Sequence, residues 1–177
     1  MFRFIISTCG ISLALADFAG AAASQNSFPV SGPTVPGSRA ALRGRIAAAP
    51  VQAPLEVKRA IWAANELTNK PYRYGGGHKS FRDSGYDCSA TVSYALGGAG
   101  VVRSPISSSE FRRFGARGNG KWITVYARNG HTFAVIAGLR LDTTPWNTMK
   151  RDRNWAPRWQ PTPREPRGFD ARHPAGL

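Results

Sequence analysis

The sequence predicts an α+β domain in which helices pack on an antiparallel β-meander and a cysteine begins one helix. Three observations support this fold class. Residues 54–69 place apolar side chains at helical spacing, the apolar run after Asp87 and Cys88 ends in glycines, and residues 122–144 contain β-rich segments separated by turn signals.

The N-terminal residues have the layout of a secretory signal peptide over residues 1–23. Arg3 precedes a largely apolar stretch that runs from Phe4 to about Leu15, and the small residues AAA at 21–23 precede the expected cleavage site. This stretch is too short to span a bilayer, which requires roughly 20 residues. We therefore expect a secreted or periplasmic protein whose mature form has no membrane span.

Residues 24–53 consist mainly of Pro, Ala, Ser, Gly and Arg, with little apolar surface to bury. A segment of this composition usually stays flexible, so the sequence predicts a linker. Residues 54–177 are sufficient for a single domain with its own core. We expect this domain to be a monomer.

The predicted helices have identifiable starts and stops. Pro54 suits the first turn of the first helix, and Lys70-Pro71 ends it; its apolar face contains Val57, Ile61, Ala64 and Leu67. The second helix is expected from about Cys88 to Leu96, with Gly97-Gly98 after it. The segment SSSEFRRF (107–114) predicts a short helix capped by serine.

The predicted strands follow the helices. WITVYA (122–127) and HTFAVIAG (131–138) are joined by Asn129-Gly130, a strong hairpin signal, and LRLDTT (139–144) continues the meander. From about residue 145 the chain is rich in Pro, Arg and Trp and has little periodicity. We expect an irregular tail that wraps the domain, with its tryptophans in grooves: Trp146, Trp155 and Trp159.

The charge balance predicts a polyanionic partner. The formal net charge is +14, and such a surface attracts nucleic acid, anionic lipid or the acidic polymers of a bacterial envelope. No segment interleaves basic and aromatic residues as nucleic-acid modules do, so we expect no nucleic acid. Export makes anionic cell-wall polymers the expected partner, although exported arginines can equally form an ordinary solvated surface.

Cys88 is a candidate nucleophile. The other cysteine, Cys9, leaves with the signal peptide, and an odd cysteine in an oxidising compartment is either a reactive group or a liability. The start of a helix favours the thiolate, and Asp87 is placed to cap that helix. The alternative is a buried, inert cysteine, which is common among free thiols.

His131 is the candidate base. It opens a strand after the Asn-Gly turn, and a tight hairpin at Ala137-Gly138 places Asp142 as its diagonal neighbour, able to orient the imidazole. The alternative is an exposed or structurally bonded histidine. His78 and His173 are candidates to line the cleft or are simply solvated. No histidine-rich or paired-cysteine ligand set is present, so we expect neither metal nor cofactor.

Four segments together resemble the NlpC-type family of bacterial cell-wall cysteine peptidases, within the papain-like superfamily: PYRYGG, GYDCSATVSYAL, GHTFAVIAG and LRLDTT. The resemblance covers about residues 54–145 and implies a papain-like NlpC-type domain. It implies that Cys88 is the nucleophile, His131 the general base and Asp142 the residue that orients the histidine. It also implies that Tyr72 lies beside the nucleophile and donates to the oxyanion; packing is the alternative role for Tyr72.

The resemblance implies a cysteine-type hydrolase, a thiol protease that cuts amide bonds in peptidoglycan stem peptides. Two alternatives remain open from the sequence. One is a catalytically inactive, basic module that binds the cell wall. The other is an amidase or acyltransferase that uses the same three residues.

Overall fold

The computed structural model describes residues 28–144, 156–161, 164 and 166–177, and these residues form a mixed α+β structure. The signal peptide predicted for residues 1–23, and Trp146 and Trp155, lie outside them. None of the helices in these ranges combines the length and the apolar character that crossing a membrane demands.

Residues 34–50 form a small three-stranded sheet rather than the predicted flexible linker. Its strands are β1 (Thr34–Val35), β2 (Ala41–Arg43) and β3 (Ile46–Pro50), with β3 in the centre. Ala47–Ala49 are buried, and both backbone groups of Ala47 bond to the Asn65 side chain at 2.9 Å. The prediction failed because a run of alanines offers little apolar area, yet its small side chains allow close packing beneath a helix.

The two main helices are α1 (Leu55–Asn65) and α2 (Cys88–Gly98), and they pack against each other. α2 continues through the glycines that were expected to end it. A Cβ at Gly98 would lie 2.4 Å from the Ala63 Cβ, so this glycine permits the close approach of the helices instead of stopping α2. A short third helix, α3 (Ser108–Phe111), begins with the predicted serine cap, in which Ser107 and Glu110 form a capping box.

A six-stranded antiparallel sheet packs beneath the helices, in the spatial order β4-β9-β5-β6-β7-β8. The predicted meander forms its centre. The strands are β4 (Ala116–Arg117), β5 (Ile123–Arg128), β6 (His131–Ile136), β7 (Leu139–Asp142), β8 (Arg158–Gln160) and β9 (Asp170–His173).

The β6–β7 hairpin has the predicted register. Ile136 pairs with Leu139 across a two-residue turn in which Ala137 and Gly138 both have positive φ, 47° and 90°. Positive φ at both turn positions matches the right-handed twist of the flanking strands. The register continues toward the open end of the hairpin and brings His131 level with Thr144.

The C-terminal residues add strands to both sides of the meander, which corrects the prediction of an irregular tail. β8 pairs with β7, whereas β9 lies between β4 and β5. Trp159 on β8 is buried as expected, and its Nε1 donates to the Asn65 Oδ1 at 2.9 Å. Strands of three or four residues are too short to show an alternating pattern in the sequence. They form because the edges of the meander supply their hydrogen-bond partners.

Candidate active site

Cys88 is the first residue of α2, and the loop before it is fixed by Asp87. The Asp87 Oδ1 accepts a hydrogen bond from the Ala90 N–H at 2.9 Å, which is the predicted helix cap. The Asp87 Oδ2 accepts from the Gly75 N–H at 3.2 Å and ties the glycine-rich loop to the helix start. Because α2 packs on β6, this helix start faces the strand that His131 opens.

The thiol of Cys88 is more enclosed than the sequence predicts, since the residue is only 8% exposed. Burial raises the pKa of Cys88; a hydrogen bond from the Thr132 backbone opposes this rise, and the charge of Asp87 adds to it. The expectation that the helix start would lower this pKa is therefore wrong in direction. Burial of the ionised sulfur outweighs the favourable backbone dipoles, so the resting group is a thiol and its attack requires a base.

His131 and Asp142 are joined as the sequence predicts. The His131 Nε2 lies 3.1 Å from the Asp142 Oδ1, and the two side chains are 12% and 0% exposed. A carboxylate only accepts, so Nε2 carries the proton in this pair. The described residues offer the His131 Nδ1 no hydrogen-bond partner, which leaves Nδ1 as the ring atom able to receive a proton.

The strand residue after His131 relates the imidazole to Cys88. Thr132 follows His131 on β6, and its backbone lies close enough to Cys88 to oppose the rise that burial causes in the pKa of the thiol. The start of α2 therefore lies near the end of β6 that His131 opens. His131 is positioned by the sheet and Cys88 by the helix.

Asp142 is held in its ionised form. Burial by itself would raise the pKa of Asp142, but hydrogen bonds from His131 and from the Thr144 N–H, together with the charge of Arg164, outweigh burial and hold the pKa below its ordinary value. The Arg164 Nη1 lies 3.1 Å from the Asp142 Oδ2 and donates to the Thr144 Oγ1 at 2.8 Å. The carboxylate is thus paired on both oxygens, as a buried charge requires.

Aromatic rings form one wall around the imidazole. Phe169 meets the His131 ring edge-on at a centroid distance of 6.1 Å, and it packs on Phe133 at 5.1 Å. Arg164 lies over both phenylalanine rings, at 5.5 Å from Phe133 and 5.4 Å from Phe169. This wall limits the access of water to the His131–Asp142 pair.

Tyr72 lies beside the nucleophile candidate. Its backbone forms a bridge with Tyr86, two residues before Cys88. Burial raises the pKa of Tyr72, and the charges of Cys88 and Asp87 raise it further. The hydroxyl therefore keeps its proton at neutral pH and is a hydrogen-bond donor near Cys88.

His78 belongs to the helix cap rather than to the pair at the strand end. Its Nε2 lies 2.7 Å from the Asp87 Oδ2 and 3.2 Å from the Ser89 Oγ, and its side chain is 37% exposed. His78 therefore contacts the two residues that flank Cys88 in the sequence, Asp87 and Ser89. This position is compatible with the edge of a cleft.

His173 does not approach the other candidates. It lies on β9, where Asp170 is level with Ala127 and Arg172 with Val125, so His173 is at the far end of β5 from His131. Its Nδ1 lies 3.1 Å from the Gly118 carbonyl oxygen. Of the two alternatives for His173, the antiparallel register of β9 favours the one outside the cleft, because it carries His173 about 13 Å along the sheet from His131.

Sequence reasoning missed Arg164 and Phe169. Both lie in the C-terminal segment between β8 and β9, which crosses from one side of the meander to the other. No periodic pattern surrounds them. The available signal was chemical, since a buried carboxylate paired with a histidine requires a further donor.

Together, these residues can perform nucleophilic chemistry on a carbonyl compound. A histidine oriented by a buried carboxylate lies at one end of β6. The thiol of Cys88 is influenced by the Thr132 backbone of the same strand, and burial together with the charge of Cys88 raises the pKa of Tyr72. Among the described residues, no group of three or more His, Cys, Asp or Glu side chains is placed to hold a metal ion.

Comparisons with known proteins give one detailed likeness. No family model matches the sequence, and no curated protein matches it. Among solved structures, the chain is similar to the peptidoglycan hydrolase RipB from Mycobacterium tuberculosis, with 21% identical residues and a TM-score of 0.49. The match covers 67% of this chain and 64% of the RipB chain, so this chain spans less than two thirds of that structure.

Proposed function

We propose that the protein is an exported cysteine hydrolase that cleaves amide bonds in peptidoglycan stem peptides. The observation that carries the proposal is the His131–Asp142 pair at 3.1 Å, at the end of the strand whose Thr132 backbone is close enough to Cys88 to oppose the rise that burial causes in its pKa. Nothing in the packing of the domain requires a buried carboxylate, an imidazole and a thiol at one strand end.

The first chemical step is the transfer of the Cys88 proton to the His131 Nδ1. The raised pKa of Cys88 favours a neutral resting pair, so proton transfer accompanies the attack of sulfur on the amide carbon. Asp142 stays ionised throughout and stabilises the imidazolium through Nε2. Its low pKa is what this role requires, because a protonated carboxyl would not stabilise the cation.

The second step is the collapse of the tetrahedral intermediate. Its oxyanion is held by the Cys88 backbone N–H and by the Tyr72 hydroxyl, which the raised pKa keeps protonated. The imidazolium of His131 gives its proton to the leaving amine, and the C–N bond breaks to leave a thioester on Cys88. His131 then takes a proton from water as the water oxygen attacks the thioester carbon. The C–S bond breaks, the acyl group leaves as a carboxylic acid, and the imidazolium returns its proton to the Cys88 sulfur.

The substrate class is supported by the sequence motifs and by the charge of the chain. GYDCSA and GHTFAVIAG resemble the NlpC-type family, whose members cut peptidoglycan stem peptides. The net charge of +14 favours binding of the protein to a cell wall that is rich in carboxylates and phosphates.

One observation favours a second candidate, a catalytically inactive wall-binding module. Cys88 is nearly enclosed and its pKa is raised, as expected of a structural thiol. The buried carboxylate of Asp142, paired with His131, argues against this alternative, because burying a charge is costly and the packing alone does not require it.

The test is digestion of purified peptidoglycan, with released fragments identified by mass. We expect the wild-type protein to release fragments with new amine and carboxyl termini, and Cys88→Ser to release none. Ser89→Ala is the matched control, since Ser89 is adjacent in sequence but points to Asp87 and His78. Equal release by wild type and Cys88→Ser would refute the proposal, and so would no release by either.

A further inference from the structure

A groove lined by arginines lies beside the candidate active site. We call it the arginine groove and define it by Arg112, Arg113, Arg117, Arg128 and Arg172. It consists of two adjoining cavities of about 580 and 500 Å³ that share Arg112 and Asp170. The five arginines come from the end of α3, from β4, from the end of β5 and from β9, so only the folded chain brings them together.

The groove has more positive charge than the fold neutralises. Its lining contains two carboxylates, Glu110 and Asp170. Glu110 accepts hydrogen bonds from the Ser107 N–H and hydroxyl in the capping box, and Asp170 is bound by the Arg112 Nε at 2.6 Å. No carboxylate among the described residues lies within 4.0 Å of a guanidinium nitrogen of the other four arginines. Clustered like charges repel and destabilise the folded state. The cluster is accounted for if an anionic ligand neutralises it.

Part of the groove is held in a fixed geometry. Arg112 is fixed by Asp170 and by the Asn129 Oδ1, to which its Nη1 donates at 3.1 Å. Arg128 stacks on the Phe169 ring with its guanidinium carbon 4.7 Å from the ring centroid. Anchored guanidinium groups lose less conformational entropy when they bind an anion than free side chains do.

The groove is continuous with the candidate active site through Phe169. This ring has Arg128 over it on the groove side, it contacts His131 edge-on, and Arg164 lies near it at the Asp142 side. Positive charge therefore extends from Arg164, past Phe169, to the outer end of the groove at Arg117. An extended molecule that lies in the groove passes beside Phe169, the ring that contacts His131.

The lining chemistry identifies the ligand class. Guanidinium groups bind carboxylate and phosphate oxygens in a bidentate manner. Among the described residues that line the two cavities, Phe169 is the sole aromatic ring, so they do not form the series of stacking platforms that single-stranded nucleic acids use. Because the arginines are spread over two cavities, a single ligand that contacts all of them must carry several anionic groups along its length.

We propose that the arginine groove binds an extended polymer with repeated carboxylate or phosphate groups and guides it past the candidate active site. The proposal goes beyond hydrolysis, because it assigns a binding surface to residues that take no part in the chemistry of Cys88. Binding is therefore measured with Cys88→Ala in the full chain, so that its outcome is independent of the proposed function.

The experiment compares two triple variants with the same change of charge. The groove variant is Arg113→Gln, Arg117→Gln and Arg128→Gln, and the control variant is Arg39→Gln, Arg43→Gln and Arg103→Gln; all six arginines are exposed. The probes are fluorescent poly-L-glutamate, polyphosphate and single-stranded DNA, with uncharged dextran as the blank, at roughly 0.15 M salt, where screening is already strong.

We expect the dissociation constant of at least one polyanion to rise roughly tenfold or more in the groove variant, because each lost exposed ion pair contributes a few-fold in affinity. The control variant should remain within about twofold of the parent. The polyanion that loses more affinity identifies carboxylate or phosphate as the recognised group. If the groove variant unfolds at a lower temperature than the control variant, the dissociation constants are measured instead with the three single substitutions of the groove variant.

Three results would overturn the proposal. Equal weakening in both triple variants would mean that net charge alone attracts polyanions. Polyanion binding no tighter than dextran binding would mean that the groove is an ordinary solvated surface. Tighter binding of single-stranded DNA than of both polyanions would assign the groove to nucleic acid.

Discussion

Two histidine–aspartate pairs flank Cys88, and they differ in what the carboxylate does. Asp87 accepts from the Ala90 N–H, the Ser89 hydroxyl and the Gly75 N–H, so its oxygens are occupied by the architecture of the helix start. Its histidine, His78, lies at 2.7 Å but is 37% exposed. Asp142 is fully buried and accepts from the Thr144 N–H and the Arg164 guanidinium besides His131.

The comparison shows that a short His–Asp distance is not enough to propose a catalytic pair. The pair at 2.7 Å belongs to a helix cap, whereas the pair at 3.1 Å lies at the strand end where the Thr132 backbone opposes the rise that burial causes in the pKa of Cys88. Two features distinguish the His131–Asp142 pair from the His78–Asp87 pair. The His131 imidazole is more buried, and the described residues offer its Nδ1 no hydrogen-bond partner. A buried imidazole with one nitrogen bound and the other open can move a proton, while an exposed one exchanges protons with water.

The largest expected effect is that of His131→Ala on fragment release from peptidoglycan. Without the imidazole, the raised pKa of Cys88 leaves almost no thiolate at neutral pH, and no group protonates the leaving amine. We expect the rate to fall by about 10³- to 10⁴-fold. Thermal unfolding of the variant, measured in parallel, controls for loss of fold. A rate within tenfold of wild type would assign proton transfer to another group.

Asp142→Asn should have the next largest effect on the same rate, about 10²- to 10⁴-fold, because an amide orients His131 without stabilising its cation.

The same variant tests how stability depends on pH. The pKa of Asp142 lies below its ordinary value, so its ionised form stabilises the fold above about pH 4 and this contribution is lost as pH falls through the lower folded-state pKa. The free energy of unfolding of Asp142→Asn should therefore fall less steeply than that of the wild type as pH decreases. The same dependence on acidic pH in both proteins would contradict the pairing of Asp142 with His131 and Arg164.

Asp87→Ala should act mainly on stability, in contrast to Asp142→Asn. Removal of the cap leaves the Ala90 and Gly75 N–H groups without their acceptor, and this costs about 1 kcal/mol of the free energy of unfolding. Denaturant unfolding measures the change. Asp87→Asn is the control, since asparagine also caps helices. Loss of stability in Asp87→Asn equal to that in Asp87→Ala would mean that the charge, not the hydrogen bonds, holds the loop.

The smallest effect is expected for His78→Gln. The side chain is partly exposed and contacts a carboxylate that already has backbone donors, so we expect fragment release within about threefold of wild type, because exposed ion pairs contribute little. A fall comparable to that of His131→Ala would make the two histidine pairs equivalent and would remove the distinction drawn between them.

The sequence could predict the His131–Asp142 pair because local signals determine it. Asn129-Gly130 and Ala137-Gly138 fix both hairpin turns, and the two-residue period of the strands then determines which side chains share a face. The Asp87 cap and the serine-capped α3 were predictable for the same reason. Each depends on residues within a few positions of one another.

The parts that sequence reasoning could not predict depend on contacts between distant segments. β3 is stabilised by α1 and Asn65, and β8 and β9 form because the meander offers open edges on both sides. Arg164 reaches Asp142 from a segment without any pattern. The direction of the Cys88 pKa shift was also beyond reach, because burial is decided by the whole domain while the helix start is visible locally.

The most direct test of the central claim is the rate at which iodoacetamide alkylates Cys88 at neutral pH, followed by intact-protein mass. The account predicts that His131→Ala slows alkylation by at least about tenfold, because the thiol loses its proton acceptor, while His78→Gln changes it by less than about twofold. Equal rates in the wild type and His131→Ala, or a larger slowing in His78→Gln, would contradict the claim that His131 activates Cys88.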